Sequence, residues 1–209
     1  MAFLEVLASE KDKIEAYDWQ FLERLNDPSY PSGKKQVALY DIIGDPTPEL
    51  IFTKDNSKDG LEQAELRIYY YDEGSAIHVY SKDVDALAGG GHKYALFITE
   101  NGDLYYYESP GIEFPVNTLE KLELQGDSVG PALTYEAKAQ TDDTFKYSLN
   151  QKELSEADYK KEMAAITGST KAVLQYNYYQ QFLNERELTK TVSFSYDDIV
   201  YKIKSALKE

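Results

Sequence analysis

Two short acidic stretches hold most of the oxygen-rich chemistry in this chain. The first is Ala38-Leu39-Tyr40-Asp41-Ile42-Ile43-Gly44-Asp45-Pro46-Thr47-Pro48-Glu49-Leu50-Ile51. A hard cation such as Ca²⁺ needs several oxygens on one tight turn. Acids at alternate positions, a glycine where the backbone reverses and a later carboxylate supply them. Asp41, Asp45 and Glu49 take the first, fifth and ninth places of such a loop. Ile43 and Pro46 take the third and sixth, where an acid and a glycine would be wanted. An ordinary hairpin would use the same acids to accept hydrogen bonds from backbone N–H groups.

The second stretch is Asp55-Asn56-Ser57-Lys58-Asp59-Gly60. Asp55, Ser57 and Asp59 put oxygen at places one, three and five, and Gly60 stands at six, the opening spacing of an EF-hand-type loop. The closing carboxylate is out of step, because Leu66 holds place twelve and Glu65 comes one residue early. A polar hairpin turn would leave the same string. A strand over Glu49 to Lys54, at ~3.3 Å per residue, sets the two loops on the order of 20 Å apart, so they cannot share an ion. Ca²⁺ is the cofactor these loops point to, and the Asp55 loop is the better expected site.

Aromatic residues offer a different chemistry. Tyr69, Tyr71, Tyr105 and Tyr107 fall on one face of their strands by the period of two, with Tyr70 and Tyr106 on the other. On an open face they would stack on sugar rings, so a carbohydrate or cell-wall ligand is one candidate partner. Tyrosine also forms strands well, packing its ring and keeping its hydroxyl wet. Enzyme signatures are missing: there is no Cys nucleophile, G-x-S-x-G elbow, P-loop, G-x-G-x-x-G or H-E-x-x-H. His92 follows Gly89-Gly90-Gly91, and His78 lies inside an apparent strand. With 37 acidic residues, some pair will meet glycosidase spacing by chance, so no catalytic pair is singled out.

The 209 residues carry 22 Lys and Arg against 37 Asp and Glu, a net charge of −15. Phosphates would be repelled, which argues against nucleic acid or an anionic membrane as partner. A basic protein is the complementary partner. The longest uncharged run, Ala172 to Asn184, is filled with Gln, Asn and Tyr, so no transmembrane segment is expected. Met1 to Ala8 is short, carries Glu5 and lacks a basic leader. It does not read as a signal peptide, leaving a cytoplasmic chain with Met1 as its native start or the mature part of a precursor.

These residues need elements to position them. Ser9 reads as the N-cap of a helix over 9–26, with Ile14, Tyr17, Phe21, Leu22 and Leu25 at helical spacing. The period then switches to two over 36–150. Strands are predicted around Val37, at Glu49 to Lys54, Glu65 to Tyr71, Ala76 to Tyr80, Lys93 to Thr99 and Asp103 to Tyr107. Three more follow at Leu119 to Leu124, Ala132 to Lys138 and Thr144 to Leu149. Turns at Glu73-Gly74 and Asn101-Gly102 imply an antiparallel meander. The Tyr triplets at 69 and 105 lie 36 positions apart, a weak internal echo that suggests repeated hairpins of one sheet. Residues 155–209 read as mainly helical, with Ser155 and Ser195 as caps and a helix preferred over Ala172 to Asn184. The expected fold is a single α+β domain over 1–209, an antiparallel β-meander sheet flanked by an N-terminal helix and C-terminal helices.

The stretch ALYDIIGDPTPELIF resembles the "ALYDIDGDGxPELI" signature of lipoproteins from gut-type, Clostridium-like Firmicutes. Tyr69-Tyr70-Tyr71-Asp72-Glu73-Gly74 is similar to that group's "YxYDxG" strand. Tyr147 to Tyr159 is similar to its "YxINGxxVSxxEY" segment, so the resemblance spans roughly residues 20 to 165. It implies a secreted, lipid-anchored cell-surface protein and assigns no activity. A similar acidic loop binds Ca²⁺ in integrin-like repeats, and the resemblance implies that role for Asp41, Asp45 and Glu49, with Ile43 and Pro46 as departures. The expected function is a non-catalytic extracellular binding protein. An acidic inhibitor or immunity-type protein that neutralises a basic partner comes second, and a carbohydrate-active enzyme third.

Overall fold

The computed structural model describes residues 1–25, 37–45, 47–57, 63–84, 93–109, 116–125, 127–142, 144–176 and 182–207. In chain order its elements are α1 (Ala2–Leu25), β1 (Val37–Tyr40), β2 (Glu49–Asp55), β3 (Ala64–Asp72), β4 (Ser75–Val84), β5 (Lys93–Thr99) and β6 (Leu104–Ser109). They continue with β7 (Val116–Gln125), β8 (Ser128–Ala139), β9 (Phe145–Leu149), β10 (Lys152–Leu154), α2 (Glu156–Gly168), β11 (Thr170–Tyr176), α3 (Glu185–Leu188) and α4 (Tyr196–Ala206). The fold is α+β, with antiparallel meanders and helices at both ends.

The strands form two sheets rather than the one expected, ordered β1-β2-β3-β4 and β10-β9-β8-β7-β6-β5-β11. Alternation along a strand reports which face is buried, not which sheet the strand joins. The chain groups into two compact units, Met1–Val84 with Val192–Glu209, and Asp85–Thr191.

In the first unit, α1 begins seven residues before the expected cap. Ala2 and Leu7 continue the buried stripe of Ile14 and Tyr17, so the helix extends back to Ala2. Ser9 sits inside it, its hydroxyl donating to the Val6 carbonyl at 2.8 Å, and caps nothing. Leu7 and Ile14 pack with Val37, Leu50, Phe52, Tyr69 and Ile199. Ile199 comes from α4, so the C-terminal segment returns to complete this core. Its return is pinned where Phe194 N–H donates to the Val37 carbonyl at 2.7 Å and Val37 N–H donates to the Phe194 carbonyl at 3.1 Å. The Ser195 hydroxyl accepts from Asp198 N–H at 3.2 Å, capping α4 as its sequence predicts.

The second unit packs its sheet around Phe97, Tyr105, Tyr107, Leu119, Tyr135 and Val173, with Tyr159, Met163 and Ile166 contributed by α2. The Ser155 hydroxyl accepts from Asp158 N–H at 3.1 Å, so the predicted α2 cap is present. The helix preferred over Ala172 to Asn184 is instead strand β11 through Tyr176, paired antiparallel with β5. Ala172, Val173, Leu174 and Gln175 are all buried, so successive side chains are covered on both faces. Such a fully buried strand shows no alternation, which leaves its sequence ambiguous with a helix. The remainder of that predicted helix, 177–181, lies outside the described residues.

Candidate functional site

The β1–β2 loop is built by its own carboxylates. Gly44 has φ +84°, a left-handed conformation that glycine adopts without steric cost. Its N–H donates to Asp41 Oδ1 at 2.7 Å, and Thr47 N–H donates to Asp45 Oδ1 at 2.7 Å. Across the loop, Ile42 N–H donates to Glu49 Oε2 at 2.7 Å. Each of the three predicted ligands thus accepts a backbone hydrogen bond, as the hairpin alternative requires.

Glu49 is the unusual member. It opens β2, opposite Tyr40 of β1, and is only 1% exposed. Burial pushes its carboxyl up from the usual range to about 7. Asp45 and then Asp41 push the same way, while the Ile42 N–H and the residue's own N–H pull it back. Such a group can hold or release a proton near neutral pH. General acid or base work also needs a reacting atom within hydrogen-bond reach, and this enclosed carboxyl is engaged by its own loop, where Oε2 accepts the Ile42 N–H. The sequence names Glu49 as a ligand but gives no sign of its burial, because ELIFTK looks like a strand with polar ends. In fact Glu49 through Lys54 are all buried.

The second acidic loop stands at the other end of β2. Asp55 Oδ1 accepts from Ser57 N–H at 3.0 Å and also from the Ser57 hydroxyl. The Ser57 hydroxyl in turn accepts from Gln63 N–H at 3.2 Å. Asp59, its third predicted ligand, lies outside the described residues, as does Gly60. Among the described residues, no group of three or more His, Asp or Glu side chains is placed to hold a metal ion.

The tyrosines alternate as predicted but do not form an open platform. Tyr69, Tyr105 and Tyr107 are buried, and only Tyr71 is exposed. Tyr69 stacks on Phe52 at 5.8 Å between ring centroids and lies 5.0 Å from the His78 ring. Tyr105 stacks on Phe97 at 5.7 Å and Tyr107 on Phe182 at 4.1 Å. The internal echo therefore has a physical counterpart: the first tyrosine of each triplet stacks on a phenylalanine of the preceding strand. The registers differ, since Phe97 is directly opposite Tyr105 whereas Phe52 is opposite Arg67. Burial raises the hydroxyl pKa of Tyr105 and Tyr107, and that of Tyr159 to about 12.

A charged cluster that the sequence did not announce joins α1 to its sheet. Lys54 Nζ lies 2.9 Å from Glu10 Oε1 and 3.6 Å from Glu65 Oε2. Arg67 Nη1 lies 3.0 Å from Glu10 Oε1, and its Nη2 lies 2.9 Å from Glu65 Oε2. Register explains the sheet half: Lys54 is opposite Glu65, and Arg67 is two residues further along the same face. Burial would raise Glu65, yet the Arg67 hydrogen bond and the Arg67 and Lys54 charges hold its carboxyl below the ordinary range. The available signal was Lys54 near the end of β2 and the Glu65–Arg67 alternation on one face of β3.

Compared with known proteins, the chain matches no family model, no curated protein and no solved structure. The site therefore rests on its own geometry. No helix among the described residues is long and apolar enough to cross a membrane.

Proposed function

We propose that this chain is a non-catalytic binding protein of the cell surface or extracellular space, held in its precursor by a lipid anchor. One observation supports the non-catalytic part: among the described residues, the candidate ligands Asp41, Asp45, Glu49 and Asp55 each accept a backbone N–H of their own loop. They shape turns, which leaves recognition to the surface. The location is supported by the resemblance of the Ala38 to Phe52 stretch to the Firmicute lipoproteins. The test is a panel of glycan and ester substrates offered to the wild type and to Glu49→Gln. No turnover above background is expected from either. A hydrolysis that Glu49→Gln abolishes would overturn the proposal.

A second function, neutralisation of a basic protein partner, is supported by the net charge of −15. The cluster of Glu10, Glu65, Lys54 and Arg67 is neutral in itself, two acids against two bases. The full net charge of −15 therefore resides in the rest of the chain. Capture of a basic probe such as lysozyme at low salt, lost at high salt, is the expected result. Equal capture at both salt concentrations would refute an electrostatic partner site.

A further inference from the structure

We draw no further inference here: the strongest candidate, the buried Glu49 carboxyl beside Asp41 and Asp45 in the β1–β2 loop, belongs to the site already described and has no second feature beside it that points to a ligand.

Discussion

Replacing Glu49 by Gln should stabilise the protein at neutral and alkaline pH and leave it unchanged in mild acid. Glu49 ionises near 7 in the folded chain against 4.5 as its ordinary value. Below pH 4.5 both folded and unfolded chains carry the proton, and the residue contributes no pH dependence. Between 4.5 and 7 the unfolded chain releases its proton while the folded chain keeps it. The unfolded state then binds fewer protons, so stability falls as pH rises. Above 7 the loss is complete. A difference of 7 − 4.5 = 2.5 units corresponds to about 3 kcal/mol. Glutamine has nearly the same shape, carries no charge, and its carbonyl can still accept the Ile42 N–H. Urea unfolding followed by circular dichroism, repeated from pH 4.5 to 8.5, gives both stability curves. They should coincide in acid and diverge by about 3 kcal/mol at pH 8, roughly 6–12 °C in melting temperature for a chain of this size. Curves that run parallel over the whole range would show that Glu49 titrates alike in both states, and the burial argument would fail.

Lys54→Ala removes a buried cation and leaves Glu10 and Glu65 facing Arg67, with only the exposed Lys13 reaching Glu10 from α1 at 4.0 Å. It should destabilise by roughly 3–5 kcal/mol in denaturant titration, and a loss below about 1 kcal/mol would refute a cooperative cluster. Gln151 holds φ +66° in the β9–β10 turn after Asn150, so Gln151→Gly should stabilise by about 1 kcal/mol, and any loss of stability would contradict the turn geometry. The two caps separate the units. Ser155→Ala should lower the transition of Asp85–Thr191 alone and Ser195→Ala that of the other unit, each by about 1 kcal/mol. Amide exchange reports the two regions separately, and equal loss of protection in both would mean that they open together. A melt in millimolar Ca²⁺ against EDTA should not depend on Asp41, whose Oδ1 is engaged by Gly44 N–H. A Ca²⁺-dependent rise that Asp41→Asn removes would restore that loop as a cation site.

What the sequence made legible is mostly local. The Ser155 and Ser195 caps depend on a hydroxyl and an N–H three residues away, and both are present. The hairpins follow from turn chemistry, with Glu73 and Gly74 both at positive φ between β3 and β4. The two acidic loops were found, and so was the alternative use of their carboxylates. What was lost depends on distant partners. The start of α1 is set by the core into which Leu7 packs, not by the best nearby cap residue. The buried state of Glu49 follows from the covering of β2 on both faces. Lys54 meets Glu10 across 44 positions, a separation at which no periodicity carries information. Tyr69, Tyr105 and Tyr107 alternated as read, yet a pattern with period two does not say whether a face meets water or a core.

The discontinuity of the first unit bears on the order in which the protein is made. Its N-terminal part ends at Val84, and Phe194, the partner of Val37, is reached only after the whole of Asp85–Thr191. At about 5–20 residues per second, a ribosome needs on the order of ten seconds to translate that interval. Throughout it, Val37 lacks its bridge and the Leu7, Ile14 and Phe52 core lacks Ile199. The second unit has all its strands in one continuous stretch and can close first. Synthesis thus leaves the first unit waiting with an open core, and chaperones or premature pairing of its short β1 edge would act in that interval.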